Sequence, residues 1–214
     1  LIDPDQFQQC FINWVDSIRE RFTAEVISID GKTLCGSHDK AKGKKPIHLV
    51  SAWATESKLV LGQVKTAEKS NEITAIPELL DLLYLEGCIV TLDAMGCQTK
   101  IAQDIRDKGA GYIIALKGNQ GNLNQQIRSF FKIHQATDFV DLAHYSHEET
   151  DTGHGRIEIR NCVVTDQLDW LEQKDNWADL KTVAMLESTR IIGEKETHET
   201  RFYISSLPAK AELF

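Results

Sequence analysis

Two aspartates follow short apolar stretches that are rich in β-branched residues. Asp30 comes after residues 26–29 and Asp93 after residues 88–92, and a glycine follows each aspartate within three positions. Such stretches are typical of buried strands, so each carboxylate is predicted where a strand meets solvent. Mg²⁺ takes one or two protein carboxylates and completes its shell with water and phosphate, so the pair suits a magnesium site. Taken singly, each aspartate is better explained as a turn residue that binds backbone N–H groups.

The elements between the two aspartates decide whether they can act together. Hydrophobic periodicity predicts helices at 4–21, 71–84 and 98–108, and a further helix that follows Gln120 and ends near residue 134. It predicts strands at 25–34, 46–55, 58–66, 88–93 and 112–116. The second and third strands are expected to form an antiparallel hairpin, whereas strands connected through helices are expected to be parallel. The first and fourth strands can then lie side by side. This order would bring both aspartates to the same end of neighbouring strands.

The predicted fold class is α/β, with a mixed five-stranded sheet and helices on both faces in the ribonuclease H-like layout. After residue 138 the pattern changes to strand-like stretches at 156–164, 181–187 and 201–206, separated by acidic loops. We interpret that part as a β-rich insertion. The predicted domains are a packing helix in 1–24, a catalytic core in 25–137, the insertion in 138–200 and a return strand in 201–214.

Charge and cysteine content narrow the class of protein. The net charge of -8 argues against general coating of nucleic acid, but residues 31–69 hold eight Lys against three acidic residues. Residues 138–200 hold six Lys or Arg against fifteen acidic residues, so only part of the surface is expected to meet phosphate. Five cysteines without paired spacing predict reduced thiols, a cytoplasmic location and no zinc site. No apolar stretch approaches the ~20 residues of a membrane span.

Several segments resemble the DDE transposases of bacterial insertion sequences, within the group that includes the H-repeat-associated proteins. They occur in order across nearly the whole chain. The segments are Ser28-Ile-Asp-Gly-Lys-Thr33, residues 68–80, Leu92-Asp-Ala-Met-Gly-Cys-Gln98, Ala115-Leu-Lys-Gly-Asn-Gln120, Gly153-His-Gly-Arg-Ile-Glu158 and Phe202-Tyr-Ile-Ser-Ser206.

The resemblance implies that Asp30 and Asp93 are the first two acidic residues of a DDE triad that holds two Mg²⁺ ions, for which Mn²⁺ can substitute. It also implies DNA cleavage at transposon ends and strand transfer into target DNA. A homodimer assembled on DNA, acting at the nucleoid in the cytoplasm, is expected. The alternative is a catalytically dead remnant that serves as a DNA-binding or interaction module.

The third acidic residue of this family lies on a helix after the last predicted strand, and the sequence reaches Phe214 without such a segment. We therefore expect a catalytic-domain fragment with an incomplete triad that is inactive by itself. Glu158 is a possible substitute carboxylate. Strand alternation places it on one side with His154, Arg156 and Arg160, which is also expected of a solvated charge ladder on an edge strand. The resemblance favours a DNA-contacting or structural role over a catalytic one, with Glu158 orienting Arg156.

Basic and amide side chains near the predicted sheet edge are candidate DNA contacts. The complete set is Lys32, Lys40, Lys42, Lys44, Lys45, Lys117, Asn119, His154 and Arg156. The four lysines at 40–45 form a basic loop that would attract a DNA backbone, although a solvated loop explains them equally well. Lys117 and Asn119 follow a predicted parallel strand, where α/β sites collect, with turn formation as the alternative. Asn71 and Glu72 are interpreted as helix-capping residues.

Overall fold

A computed structural model describes residues 3–19, 25–35, 37, 46–66, 72–153 and 155–214. The chain divides into two compact units, Leu1–Tyr112 and Ile113–Phe214. The basic loop at 40–45 and His154 lie outside the described residues, so their predicted DNA contacts stay predictions. No helix within these ranges combines the length and apolarity needed to cross a bilayer.

The first unit contains three helices and four complete strands among its described residues. In chain order they are α1 Pro4–Arg19, β1 Val26–Thr33, β2 His48–Ala54, β3 Leu59–Lys65, α2 Glu72–Asp81, β4 Ile89–Leu92 and α3 Thr99–Asp107. The strand order is β3-β2-β1-β4. β2 pairs antiparallel with β1 and β3, while β1 pairs parallel with β4. The predicted hairpin and the predicted parallel neighbours are thus confirmed.

Alternation along β1 separates a core face from an exposed face. Ile27 and Ile29 are buried, and Gly31 continues the same alternation. α2 packs over β2 and β3, with Leu79 and Leu80 fully buried. A Cβ on Gly62 of β3 would lie 3.2 Å from the Leu79 Cδ1 atom, so the missing side chain permits this close approach. The core of the first unit therefore lies between α2 and the sheet.

β1 is longer than its parallel partner. Pairing with β4 ends at Ile29 opposite Leu92, whereas pairing with β2 continues from Asp30 opposite Ser51 to Thr33. Asp30 therefore lies within β1, as the predicted strand at 25–34 implied. Its backbone is held by β2 on one side, beyond the last residue of β4.

The second unit is built on an antiparallel set of strands and one long helix. β5 Gly111–Leu116 begins in the first unit and continues into the second, followed by α4 Gly121–Gln135, β6 Tyr145–Gly153, β7 Arg156–Thr165, β8 Thr182–Ile192 and β9 Lys195–Ser205. The order is β5-β9-β8-β7-β6, and the pairs from β5·β9 to β6·β7 are all antiparallel.

The α/β class, the mixed sheet and the helices are confirmed, but the expected five-stranded sheet was wrong. The sheet formed by the described residues has nine strands, and all of them except β6 had been predicted as strands. β9, predicted as a return strand, pairs with β5 on one side and with β8 on the other. β6 was missed because all nine of its residues are exposed and it carries acidic residues at three positions. An edge strand of this composition has no apolar alternation to reveal it.

Aromatic side chains between α4 and the strands hold the second unit together. Phe131 of α4 is fully buried, with its ring centroid 5.9 Å from that of Phe202 on β9. Phe130 stacks on Trp170 at 4.0 Å between centroids and 10° between planes. Offset stacking of this kind adds about 0.5–1.5 kcal/mol beyond area burial. These contacts fix one face of the antiparallel strands.

Candidate active site

Asp30 and Asp93 come together because their strands are neighbours. Each aspartate immediately follows a member of the parallel pair formed by Ile29 and Leu92. Both aspartates are exposed, so their carboxylates reach solvent at the carboxyl end of β4. The structure thus confirms the predicted adjacency, and the metal-binding role of the two residues stays a prediction.

Asp93 also performs the turn role that its sequence context allowed. It precedes a short 3₁₀ turn at Ala94–Gly96, and its Oδ1 atom accepts hydrogen bonds from the backbone N–H of Met95 at 2.9 Å and of Gly96 at 3.4 Å. Both of these hydrogen bonds end on Oδ1, and neither involves Oδ2. The turn therefore fixes the orientation of the Asp93 carboxylate without occupying both oxygens.

A third carboxylate, that of Glu72, lies beside this pair. Glu72 is the first residue of α2 and is half-buried. A Cβ on Gly31 would overlap the Glu72 carboxylate and lie 2.7 Å from its Cγ atom. The Glu72 side chain thus occupies the space that the missing side chain of Gly31 leaves on the core face of β1. Sequence reasoning assigned Glu72 to helix capping because nothing in the sequence brings the start of α2 next to Gly31.

The three carboxylates influence one another electrostatically. Burial raises the pKa of Glu72 above its ordinary value, the negative charges of Asp93 and Asp30 raise it further, and His48 acts in the opposite direction. The His48 ring is held by Thr33, whose Oγ1 atom lies 2.7 Å from Nδ1. The site is therefore an electronegative cluster with one imidazole at its border.

The chemistry of this cluster fits a divalent cation of the magnesium type. Such an ion prefers carboxylate oxygens and water, and all three groups supply oxygen. The space above Gly31 is already filled by a carboxylate rather than by an apolar side chain. In the described part of the chain, no three His, Cys, Asp or Glu side chains are arranged as ligands of one ion.

The predicted basic contacts fall in different parts of the chain. Lys32 is exposed on β1, two residues after Asp30, so alternation gives both the same face of the strand. Lys117 is exposed in the second unit and lies close enough to Glu199 to contribute to the lowered pKa of that carboxyl. Asn119 lies in the 3₁₀ turn after Lys117, and its side chain is not described.

Glu158 is the centre of an arginine cluster in the second unit. Its side chain is only 8% exposed, and it accepts hydrogen bonds from Arg160 Nη2 at 2.6 Å and Arg190 Nε at 2.8 Å. The Arg156 Nε atom lies 3.5 Å from the same carboxylate. Burial would raise the pKa of Glu158, but the charges of Arg156, Arg190 and Arg160 outweigh it and lower the pKa. This geometry agrees with an orienting role.

Arg190 was not among the sequence candidates. It lies opposite Glu158 in the antiparallel register of β7 and β8. That register depends on where two strands far apart in sequence align, so no local signal marks it. Glu158, Arg160 and Arg190 also line a cavity of about 410 Å³. Ser188, His198 and Arg201 line the same cavity.

The profile of the family described as "Transposase DDE domain" matches residues 21–200. The chain belongs to this transposase family. The resemblance to the H-repeat-associated transposases, drawn from the sequence segments, is thereby confirmed.

Curated relatives support the same assignment. "H repeat-associated putative transposase YhhI" of Escherichia coli strain K12 is 44% identical over 218 residues, which cover 100% of this chain and 57% of the relative. "Putative protein YbfL" of the same strain gives the same identity and coverage. An uncharacterized protein from the dhlA 3′ region of Xanthobacter autotrophicus is 39% identical over 209 residues, covering 96% and 68%. The chain thus spans little more than half the length of the first two relatives.

One solved structure is also similar to this chain, the cryo-EM structure of the piggyBac transposase synaptic complex with hairpin DNA. The similarity covers 89% of this chain and 34% of that chain, at 10% sequence identity and a TM-score of 0.42.

Proposed function

We propose that this chain is the catalytic core of a DNA transposase, with a ribonuclease H-like arrangement of β1 to β5 and with Asp30 and Asp93 as metal-binding residues. The observation that carries the proposal is the parallel pairing of Ile29 with Leu92, which brings the two aspartates to adjacent strand positions. Family membership supplies the reaction class, cleavage of a DNA strand followed by transfer of its end.

Some residues of the site would bind cations, and others would bind DNA. Asp30 and Asp93 would hold two Mg²⁺ ions, which Mn²⁺ can replace. When bound, such ions activate the attacking oxygen and stabilise the leaving oxygen of a phosphodiester. The backbone bonds from Met95 and Gly96 keep the Asp93 carboxylate in one orientation. Lys32, on the same face of β1 as Asp30, would hold a phosphate next to it.

The second unit would supply further contacts to the DNA backbone. Arg156, Arg160 and Arg190 share the buried Glu158 carboxylate, which fixes the direction of their guanidinium groups. Oriented guanidinium groups bind phosphate better than mobile ones because less side-chain entropy is lost. Lys117 would add a further positive charge. The DNA partners would be transposon ends and target DNA, bound by a homodimer at the nucleoid.

The test is a cleavage and strand-transfer assay with Mn²⁺ on a version that spans the length of the curated relatives. Asp30→Asn and Asp93→Asn are each expected to abolish both steps, whereas Asp141→Asn, at an exposed position of the second unit, is expected to leave them unchanged. Activity that survives both site substitutions would contradict the proposal. Absence of activity in the parent protein would favour a remnant that only binds DNA.

A further inference from the structure

We propose that the cavity on β7, β8 and β9 binds a single phosphate group through Arg160, Arg190 and Arg201, with the Ser188 hydroxyl as a further donor. The cavity has a volume of about 410 Å³ and lies wholly within the second unit. The inference rests on the proposed function only for the origin of the group, a phosphate of DNA. It adds Arg201 and Ser188 to the residues that would meet DNA and defines where one phosphate would lie.

The registers of the antiparallel strands bring the three arginines to one face. Arg160 of β7 lies opposite Ser188 of β8, and Ser188 lies opposite Glu199 of β9. Arg190 is two residues from Ser188 along β8, and Arg201 is two residues from Glu199 along β9. Alternation therefore gives all five side chains the same face. Ser188 has one arginine directly opposite, one on its own strand and one as a diagonal neighbour.

The lining of the cavity holds more positive than negative charge. It contains three arginines but two glutamates, Glu158 and Glu199. Arg160 and Arg190 share the carboxylate of Glu158, which is 8% exposed. Arg201 donates to Glu199 with Nε and Nη2, both at 2.9 Å. One guanidinium charge is thus not balanced within the lining, and a bound anion would compensate it.

The ion pairs orient the arginines and leave donors for a ligand. A guanidinium group carries five N–H donors. Arg190 donates to Glu158 through Nε, which leaves its Nη1 and Nη2 atoms outside that bond. Arg160 donates through Nη2, so its Nη1 atom is likewise outside the hydrogen bond to Glu158. Guanidinium nitrogens that are already fixed in direction suit the oxygens of a phosphate.

Ser188 contributes an independent observation. Its side chain is half-buried and lines the cavity, and its hydroxyl has no hydrogen-bond partner in the described part of the chain. A hydroxyl withdrawn from water costs free energy until a partner satisfies it. A phosphate oxygen held by the arginines would accept its hydrogen bond. The small side chain also leaves space between the three arginines for such a group.

The first experiment measures the binding of inorganic phosphate by isothermal titration calorimetry. Arg190→Gln and Arg201→Gln each remove one guanidinium group. Each is expected to weaken binding about tenfold or more, because hydrogen bonds to a charged group are lost. Lys181→Gln is the control, since Lys181 is an exposed cation of the same unit. Its affinity should equal that of the unsubstituted chain.

A second variant places a carboxylate where the phosphate is expected. Ser188→Asp should abolish phosphate binding and raise the unfolding temperature, because the added charge compensates the surplus of the arginines. Ser146→Asp, at an exposed serine of β6, is the matched control and should do neither. Phosphate itself should raise the unfolding temperature of the unsubstituted chain but not that of Ser188→Asp. A lower unfolding temperature of Ser188→Asp with unchanged phosphate binding would refute the inference.

Oligonucleotides distinguish two sources of the phosphate, the DNA backbone and a strand end. Fluorescence anisotropy compares a single-stranded oligonucleotide that ends in a 5′-phosphate with the same oligonucleotide ending in a 5′-hydroxyl. If the cavity takes a terminal phosphate, Arg201→Gln weakens binding of the phosphorylated strand alone. If it takes a backbone phosphate, both strands lose affinity equally. If neither strand loses affinity, the inference is refuted.

The outcomes also separate the cavity from the proposed cation site. If Arg190→Gln, Arg201→Gln and Ser188→Asp all bind phosphate like the unsubstituted chain, or that chain binds none, the cavity is refuted whatever Asp30→Asn and Asp93→Asn do to cleavage. Phosphate binding that depends on the arginines, with cleavage that survives both aspartate substitutions, would support the cavity and contradict the proposed function.

Discussion

Ile29 of β1 lies directly opposite Leu92 of β4 in parallel register, and each is followed by an aspartate. β4 ends at this point, whereas β1 continues along β2 as far as Thr33. The backbone of Asp30 is therefore held by a strand, and the carboxylate of Asp93 is held by the turn that follows its strand. Both acidic residues of the candidate site are thus positioned by backbone hydrogen bonds.

The two roles of Asp93 can be separated by two substitutions. Asp93→Ala removes the acceptor for the N–H groups of Met95 and Gly96 and should cost about 1 kcal/mol in the free energy of unfolding. Asp93→Asn retains an acceptor oxygen and should unfold close to the unsubstituted chain, while losing Mn²⁺ binding. Urea denaturation measures the first effect and calorimetry the second. Equal stability of the two variants would show that the turn does not depend on this side chain.

Glu158 is predicted to stabilise the second unit through its arginines. Glu158→Gln leaves Arg160 and Arg190 close together without a compensating charge and should lower the unfolding temperature. Glu149→Gln is the matched control, because Glu149 is 62% exposed and lies 3.7 Å from Arg160. Exposed pairs contribute little, so that variant should stay within about 0.5 kcal/mol of the unsubstituted chain. Equal effects of the two substitutions would contradict a central role for Glu158.

The same carboxylate predicts a dependence of stability on pH. The folded protein lowers the pKa of Glu158 below its ordinary value of 4.5, so between these two values the unfolded chain binds more protons. The stabilisation is present above pH 4.5 and is lost as the pH falls through the pKa of the folded state. The unfolding free energy of the unsubstituted chain should therefore fall more steeply below pH 4.5 than that of Glu158→Gln. Parallel curves would show that folding does not lower the pKa of Glu158.

Lys117 is predicted to contact a DNA phosphate. Lys117→Gln should weaken binding to DNA of any sequence and reduce the slope of log affinity against log salt by about one unit. Lys181→Gln, at another exposed lysine of the second unit, should leave the slope unchanged. Fluorescence anisotropy across a salt series gives both slopes. If both substitutions reduce the slope equally, the lysines attract DNA through the overall charge of the surface, and Lys117 makes no specific phosphate contact.

The cysteines should differ in reactivity according to burial. Cys10 and Cys35 are exposed, whereas Cys88, Cys97 and Cys162 are buried, and all five are thiols rather than members of disulfides. Burial raises the pKa of Cys97 to about 12 and that of Cys162 to about 12, so little thiolate forms at either position at pH 8. A thiol reagent should modify two cysteines rapidly in the folded protein and five after denaturation. Rapid reaction at Cys97 would contradict the packing next to Asp93.

Patterns within single elements were readable from the sequence, and contacts between elements mostly were not. α2 and β4 could be predicted because apolar residues recur with the period of each element. The neighbouring positions of Asp30 and Asp93 followed from the order of strands and helices. β6 could not be found, because an exposed edge strand rich in acidic residues resembles a loop.

The remaining parts of the site depend on tertiary packing. The contact between Glu72 and Gly31 requires the start of α2 to meet β1, residues that are 41 positions apart in sequence. The pairing of Glu158 with Arg190 requires the register of β7 and β8. A single sequence carries no local signal for either of these contacts. The sequence analysis had assigned Glu72 to a helix end and had not considered Arg190.

The most direct test of the aspartate pair is a crystal structure of the chain grown with Mn²⁺, with the metal located by its anomalous scattering. The account predicts an anomalous peak at the carboxyl end of β4, coordinated directly by the carboxylates of Asp30 and Asp93. A structure with both carboxylates ordered, no peak between them and Mn²⁺ bound elsewhere would contradict it.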